Sequence, residues 1–217
     1  MFTNRFEAGQ QLAVALAEYR GQDLLILAIP RGGVEVAAPV AQALEAELDL
    51  VVPRKIGAPF NPEMALGAVT QDGIPLLDQV LLIRLGLTPE DLAGAISREV
   101  AEAKRRLREY RGSRPQPQVT GRVVVVIDDG VATGFTTRAA LTSVRRESPA
   151  RLVLAVPVGP PNTLAELERE VDSLVCPLQP DPFYAVGQFY EDFGQTSDVR
   201  VIELLQENWA RWGARGR

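Results

Sequence analysis

The chain has 217 residues, 46% of them apolar and 24% charged, with a net charge of −5. That is the composition of a folded globular protein with no overall attraction to nucleic acid or an anionic membrane. It contains no histidine and one cysteine, Cys176, which excludes His-dependent triads, His-built zinc sites, an intrachain disulfide and Cys-rich metal centres. No apolar run approaches the roughly 18 residues of a membrane span, and the N-terminus has no secretory signal, so a cytoplasmic location without membrane contact is expected.

Residues 4–19 predict an amphipathic helix, capped by Asn4 and carrying Phe6, Leu12, Leu16 and Tyr19 on its apolar face. Residues 24–29 are a short, wholly apolar strand of the kind buried on both faces. Pro30-Arg31-Gly32-Gly33 follows it, then a helix over 34–48 and a second short strand at 50–53, ending at Arg54-Lys55. Residues 57–63 read as a Pro-rich loop able to close over a ligand or simply to connect. Gln71-Asp72-Gly73 marks a hairpin between 65–70 and 74–77.

Thr88-Pro89-Glu90-Asp91 starts a helix that runs to about Tyr110. Val123 to Ile127 form the clearest buried strand in the chain. Helices at 136–146, 163–170 (capped at Thr163) and 199–209 alternate with strands at 152–156 and 173–176. This alternation predicts one α/β domain with a central, mainly parallel sheet covered by helices on both faces. A lid drawn from residues 57–118 and a C-terminal hood at 178–217 would complete it. Trp209 and Trp212 are expected to pack on the domain or a partner, and Cys176 to be inert core.

In such sheets, ligands bind beyond the C-terminal strand ends. The loop after the strongest strand reads Asp128-Asp129-Gly130-Val131-Ala132-Thr133-Gly134-Phe135-Thr136-Thr137. Its glycines permit close backbone approach, its threonines supply hydroxyls, and the helix that follows offers unpaired N–H groups. Together they form an anion cradle for a phosphate monoester. The loop contains no lysine, so it is not a Walker A loop. The two carboxylates repel phosphate and suit hydroxyl groups or a divalent cation, which marks both Asp128 and Asp129 as candidate metal ligands. A ribose 5-phosphate satisfies both halves of the loop.

This segment resembles the signature of the type I phosphoribosyltransferases, which use 5-phosphoribosyl-1-pyrophosphate. The resemblance implies that Asp128 and Asp129 contact the ribose hydroxyls and that Gly130 to Thr137 hold the 5′-phosphate. It also implies that Arg31, Gly32 and Gly33 take the leaving pyrophosphate together with Mg²⁺. Arg54 and Lys55 are expected on the same rim, balancing that charge. Residues 181–193 hold five of the eleven Phe and Tyr residues and resemble the base-binding segment of hypoxanthine-type members, with Tyr184 stacking on a planar base and Glu191 as the acid that follows. Ala132 departs from that subgroup, which carries Asp there.

The implied activity is transfer of the phosphoribosyl group to a nitrogenous acceptor, with Glu191 or Glu63 as general base. The alternative is a donor-sensing regulator that binds RNA or protein without turnover; the helix over 98–114, with seven basic and three acidic side chains, is the feature favouring it. A phosphoacceptor receiver domain fits poorly, because no lysine follows Lys104. A homodimer is a family-based expectation.

Overall fold

A computed structural model describes residues 1–213. Five parallel strands form the central sheet in the order β2-β1-β6-β7-β8. They are β1 (Leu24–Ala28), β2 (Glu47–Leu50), β6 (Val123–Ile127), β7 (Arg151–Ala155) and β8 (Ser173–Val175). Side chains alternate faces along a strand, so Leu24, Ile26 and Ala28 pack with α1 (Arg5–Ala15), α2 (Gly32–Leu44) and α7 (Asp198–Gly213). Leu25 and Leu27 point the other way, toward α5 (Phe135–Arg146) and α6 (Pro161–Glu168). The expected two-sided parallel sheet is present.

The α1 cap is as expected, with the Glu7 N–H donating to Asn4 Oδ1 at 2.9 Å. Its buried stripe is Arg5, Ala8, Gly9, Leu12 and Ala13, a face that excludes Phe6, which is 51% exposed. Gly9 brings α1 against α2: a Cβ there would sit 2.2 Å from the Val36 carbonyl oxygen and 2.5 Å from the Pro39 ring. Gly9→Ala is therefore expected to destabilise the fold by about 1–3 kcal/mol, the usual cost of overpacking, despite alanine's better helix propensity. Urea denaturation checks this, and an alanine variant as stable as the parent would contradict it.

Two boundaries differ from the sequence reading. The second helix stops at Leu44, because Glu45 adopts a left-handed conformation (φ 57°) and the Ala46 N–H closes on the Ala41 carbonyl at 2.9 Å. The edge strand is consequently Glu47–Leu50, not 50–53. Arg54 and Lys55 do not end that strand. They begin β3 (Arg54–Ala58), which pairs antiparallel with β4 (Asn61–Val69), and β4 pairs with the short β5 (Leu76–Leu77) across the expected Asp-Gly turn. Residues 57–63 are thus mostly hairpin. Gly57 is required there, since a Cβ would lie 2.4 Å from the Pro62 carbonyl oxygen.

This second sheet, α3 (Gln79–Leu85) and α4 (Ala93–Arg111) enclose a separate small core of Ile56, Leu66, Val69, Leu82 and Leu92. A 3₁₀ turn at Glu90–Leu92 leads into α4, and the Thr88 N–H and hydroxyl both bond Asp91. Trp209 packs as expected, donating its indole N–H to the Leu48 carbonyl at 2.7 Å. Cys176 is half-buried, and burial pushes its thiol up to about 12. Residues 214–217 of the expected C-terminal hood lie outside the described residues. Among the described residues, no helix is long and apolar enough to cross a membrane.

Candidate active site

The chain passes from β1 outward to β2 and from β6 outward to β7, so β1 and β6 are adjacent parallel strands whose connections lead to opposite edges of the sheet. Their C-terminal ends form the topological switch point where open α/β sheets bind ligands. Residues 30–33 and 128–137 leave the sheet at this point. The Pro30–Arg31 peptide bond is cis.

Both loops run directly into helices that lack a side-chain cap. α2 begins behind Arg31 and α5 behind Gly134, whereas α1 and α3 are capped by Asn4 and Asp78. Uncapped first turns leave backbone N–H groups and the positive dipole end available to an anion. Gly134 sits at φ +78°, a conformation that favours glycine. Ala132 and Thr133 are exposed, while Val131 and Thr137 are buried and anchor the loop. Thr163 does not cap α6. Its hydroxyl donates instead to the Ala132 carbonyl at 2.9 Å and tethers the loop from outside.

Asp128 and Asp129 sit between these two helix starts. The Asp129 N–H donates to Asp128 Oδ1 at 2.8 Å. Burial, then the charge of Asp129, pushes the Asp128 carboxyl well above the usual carboxylate range. Burial also raises Asp129, opposed by Arg5. The glycines of the first loop pack directly on this pair: a Cβ on Gly32 would fall 1.9 Å from Asp129 Oδ2, and one on Gly33 would fall 2.9 Å from the Asp128 Cα. Close backbone approach is therefore a steric requirement at both positions. Arg31 flanks the loop, and its nearest acid is Asp198 at 3.8 Å.

The 181–193 segment folds over the same place. Tyr190 donates its hydroxyl to the Asp129 carbonyl at 2.6 Å. Val186 closes on Gly130, where a Cβ would meet its side chain at 2.5 Å. Phe2 bridges to Tyr190 and binds the chain on either side of it, through Phe189 and Glu191. Tyr184 is 81% exposed, two residues from Val186, and Glu191 is also exposed beside Tyr190.

Arg54 and Lys55 open β3 in the second sheet. Arg54 pairs with Glu99 at 2.9 Å and Lys55 with Glu63 at 3.4 Å. They line a groove of about 510 Å³ between β3 and the start of α4, and each is neutralised by an acid of that subdomain.

Sequence reasoning missed Arg5. It is 7% exposed, donates from Nε to Asp129 Oδ2 at 2.8 Å and from Nη1 to the Gly194 carbonyl at 2.7 Å, and lies 3.9 Å above the Phe193 ring. The available signal was a charge on an apolar stripe: Arg5 heads the face continued by Ala8, Gly9 and Leu12. Among the described residues, no group of three or more Asp, Glu, Cys or His side chains could by itself hold a metal ion.

The model of the phosphoribosyl transferase domain matches residues 4–193. Two Mycobacterium tuberculosis proteins (strains CDC 1551 and H37Rv), both with provisional phosphoribosyl transferase names, are 40% identical over 205 residues, covering 94% of this chain and 46% of theirs. The chain thus spans about half the length of the curated relatives it matches. The crystal structure of TT1426 from Thermus thermophilus is similar with a TM-score of 0.81 and 42% identity, covering 95% of this chain and 98% of that one. The matched range takes in both switch-point loops and the segment that closes over them, and by that match the chain belongs to the phosphoribosyl transferase domain family.

Proposed function

We propose that the chain transfers a 5-phosphoribosyl group from 5-phosphoribosyl-1-pyrophosphate to a nitrogen of a planar acceptor, releasing pyrophosphate. The observation that carries this reading is the placement of Asp128 and Asp129 between two uncapped helix starts, one at each glycine loop. One cradle suits the 5′-phosphate, the other the pyrophosphate, and the carboxylates between them suit ribose hydroxyls.

As pyrophosphate leaves, positive charge develops on the ribose ring. The fixed carboxylates favour that charge, and the loop amides hold both anionic ends in place. The acceptor nitrogen forms the new bond to the sugar carbon and loses its proton; Glu191, exposed beside the site, is the proposed base, with Glu63 of the β3–β4 hairpin as alternative. Tyr184 is the proposed stacking residue for the acceptor; the support is that its segment covers Gly130 through Val186. Residues 57–118 and 178–213 serve as lid and hood in this reading.

Mg²⁺ fits as a chelate of the donor. Asp128 Oδ1 already accepts the Asp129 N–H and Asp129 Oδ2 already accepts from Arg5, so Asp128 and Asp129 would hold the ion only through their remaining oxygens, with the donor's own oxygens supplying the rest. Mg²⁺ supplies neutralisation of the diphosphate charge. A sensor that binds RNA is less well supported, because the basic helix commits Arg105 and Arg106 to Glu102, and Arg111 to Asp49.

The test is donor binding by calorimetry with Mg²⁺, followed by a screen of nucleobases for pyrophosphate release. Asp128→Asn combined with Asp129→Asn is expected to abolish binding, and tight binding by that double variant would overturn the assignment.

A further inference from the structure

Four parts of the chain converge on one ion pair. Arg5 comes from the start of α1, Asp129 from the loop after β6, Phe193 and Gly194 from the C-terminal hood, and Gly32 from the loop after β1. The guanidinium is held on three sides. Its Nε meets Asp129 Oδ2 at 2.8 Å, its Nη1 meets the Gly194 carbonyl at 2.7 Å, and its Cζ lies 3.9 Å from the Phe193 ring centre. Arg5 is 7% exposed overall. A Cβ on Gly32 would fall 2.7 Å from Arg5 Nε, so the first glycine loop closes directly over the pair.

The planar guanidinium bonds a carboxylate and a carbonyl at once while lying over a ring, which orients Asp129, whereas the positive charge that opposes a second cation is one a lysine would also carry. A second cation at the same carboxylate would sit beside a buried, permanently charged arginine in a weakly screened site. It would also have to displace a charge-assisted hydrogen bond that is itself boxed in by Phe193 and Gly194.

We propose that Arg5 is the resident counter-ion of Asp129, fixing that carboxylate with one oxygen turned to the ligand and keeping a free divalent cation off the Asp128–Asp129 pair. Metal then reaches this site only together with a ligand that brings its own oxygens. Asp129 becomes a hydroxyl acceptor, and Arg5 is a positioning residue that acts through it. This deepens the donor-site reading and rests on it for the identity of the ligand. The counter-ion role itself is testable with no donor present.

Mn²⁺ binding to the donor-free protein, followed by electron paramagnetic resonance, is the direct test. Arg5→Gln is expected to bind Mn²⁺ at least about tenfold more tightly than the parent, since an uncompensated carboxylate pair then faces the site. Adding Asp129→Asn should remove the gain. Arg5→Lys keeps the charge and should keep the parent's weak Mn²⁺ binding. Equal Mn²⁺ binding by the parent and a folded Arg5→Gln variant would overturn the proposal, as would Arg5→Lys behaving like Arg5→Gln. Should Arg5→Gln not fold, the parent's arginine Nε–H resonances carry the test. One exchange-protected signal that is lost in Asp129→Asn is expected, and absence of any such signal refutes the counter-ion role. A separate titration of the parent with donor and Mg²⁺ tests the donor reading: failure there with a positive Mn²⁺ result removes the ligand assignment and leaves Arg5's role standing.

Discussion

Alanine at Gly32 is expected to weaken binding of 5-phosphoribosyl-1-pyrophosphate by about two to three orders of magnitude. The methyl group would occupy a point 1.9 Å from Asp129 Oδ2 and 2.7 Å from both Arg5 Nε and the Asp129 carboxyl carbon. No rotamer of alanine avoids this, so the loop or the ion pair must move. Arg5 has little room to yield, bonded to Gly194 and stacked on Phe193. Because the pair resists rupture, the loop moves and its amides lose their aim at the anion; about two hydrogen bonds to a charged group at ~1.5–2 kcal/mol each, with about tenfold in affinity per 1.4 kcal/mol, set the expected loss. Calorimetry with donor and Mg²⁺ measures it, with thermal melting to establish that the variant is folded. Gly94→Ala is the matched control. It lies in α4, its nearest neighbour to an added methyl is Arg98 Nη1 at 3.6 Å, and donor binding should be unchanged. A Gly32→Ala variant that binds donor like the parent would remove the 31–33 loop from the site.

The parts of this site that were legible in the sequence are those whose physics is local. Val123 to Ile127 announce a buried strand because every side chain is apolar, and the Asp-Asp-Gly and Thr-Gly-Phe steps that follow announce a loop entering a helix. Arg31-Gly32-Gly33 is readable in the same way after β1. The steric reason for Gly32 is not local, since its methyl would strike a carboxylate 97 residues further along the chain. Arg5 is less legible still: it is one of many arginines, and its partner, Asp129, lies 124 residues away.

The boundary between α2 and β2 was hidden for a related reason. Ala-Leu-Glu-Ala-Glu-Leu favours helix on local propensity, and the helix ends at a glutamate in the left-handed region where a glycine would have been the usual signal. What makes a strand of Glu47–Leu50 is tertiary. Leu48 and Leu50 face the core, while the charged alternates meet arginines supplied from residues 111–122. The 54–63 stretch was misread as a strand end and a loop because its hairpin is irregular, with register shifts at Ile56–Ala58 and two prolines at its tip.

That charged face of β2 supports the largest stability effect expected outside the site. Arg122 lies nearly buried and satisfies four acceptors: Glu47 at 2.7 Å, Asp23 at 2.9 Å, the Leu24 carbonyl at 3.0 Å and the Gln118 carbonyl at 3.3 Å. Arg114 bonds the other Glu47 oxygen at 2.8 Å, and Arg111 bonds the fully buried Asp49 at 2.6 Å. Arg122→Ala leaves Glu47 buried with only one of its two cations and leaves the Leu24 carbonyl without this donor, a change that costs about 3–5 kcal/mol. For a domain of this size that corresponds to a fall in melting temperature of roughly 6–20 °C. The pair as a whole carries much less net stability than its rupture suggests, because two desolvated charges offset most of their own attraction. Arg122→Met with Glu47→Leu should therefore recover most of the loss, although Arg114 is then left unpaired on the surface side. Calorimetric melting of Arg122→Met, Glu47→Leu and the two combined closes the cycle. A double variant no more stable than Arg122→Ala would mean that the network holds the edge strand in place through its geometry, and that apolar replacements of similar volume cannot substitute for it.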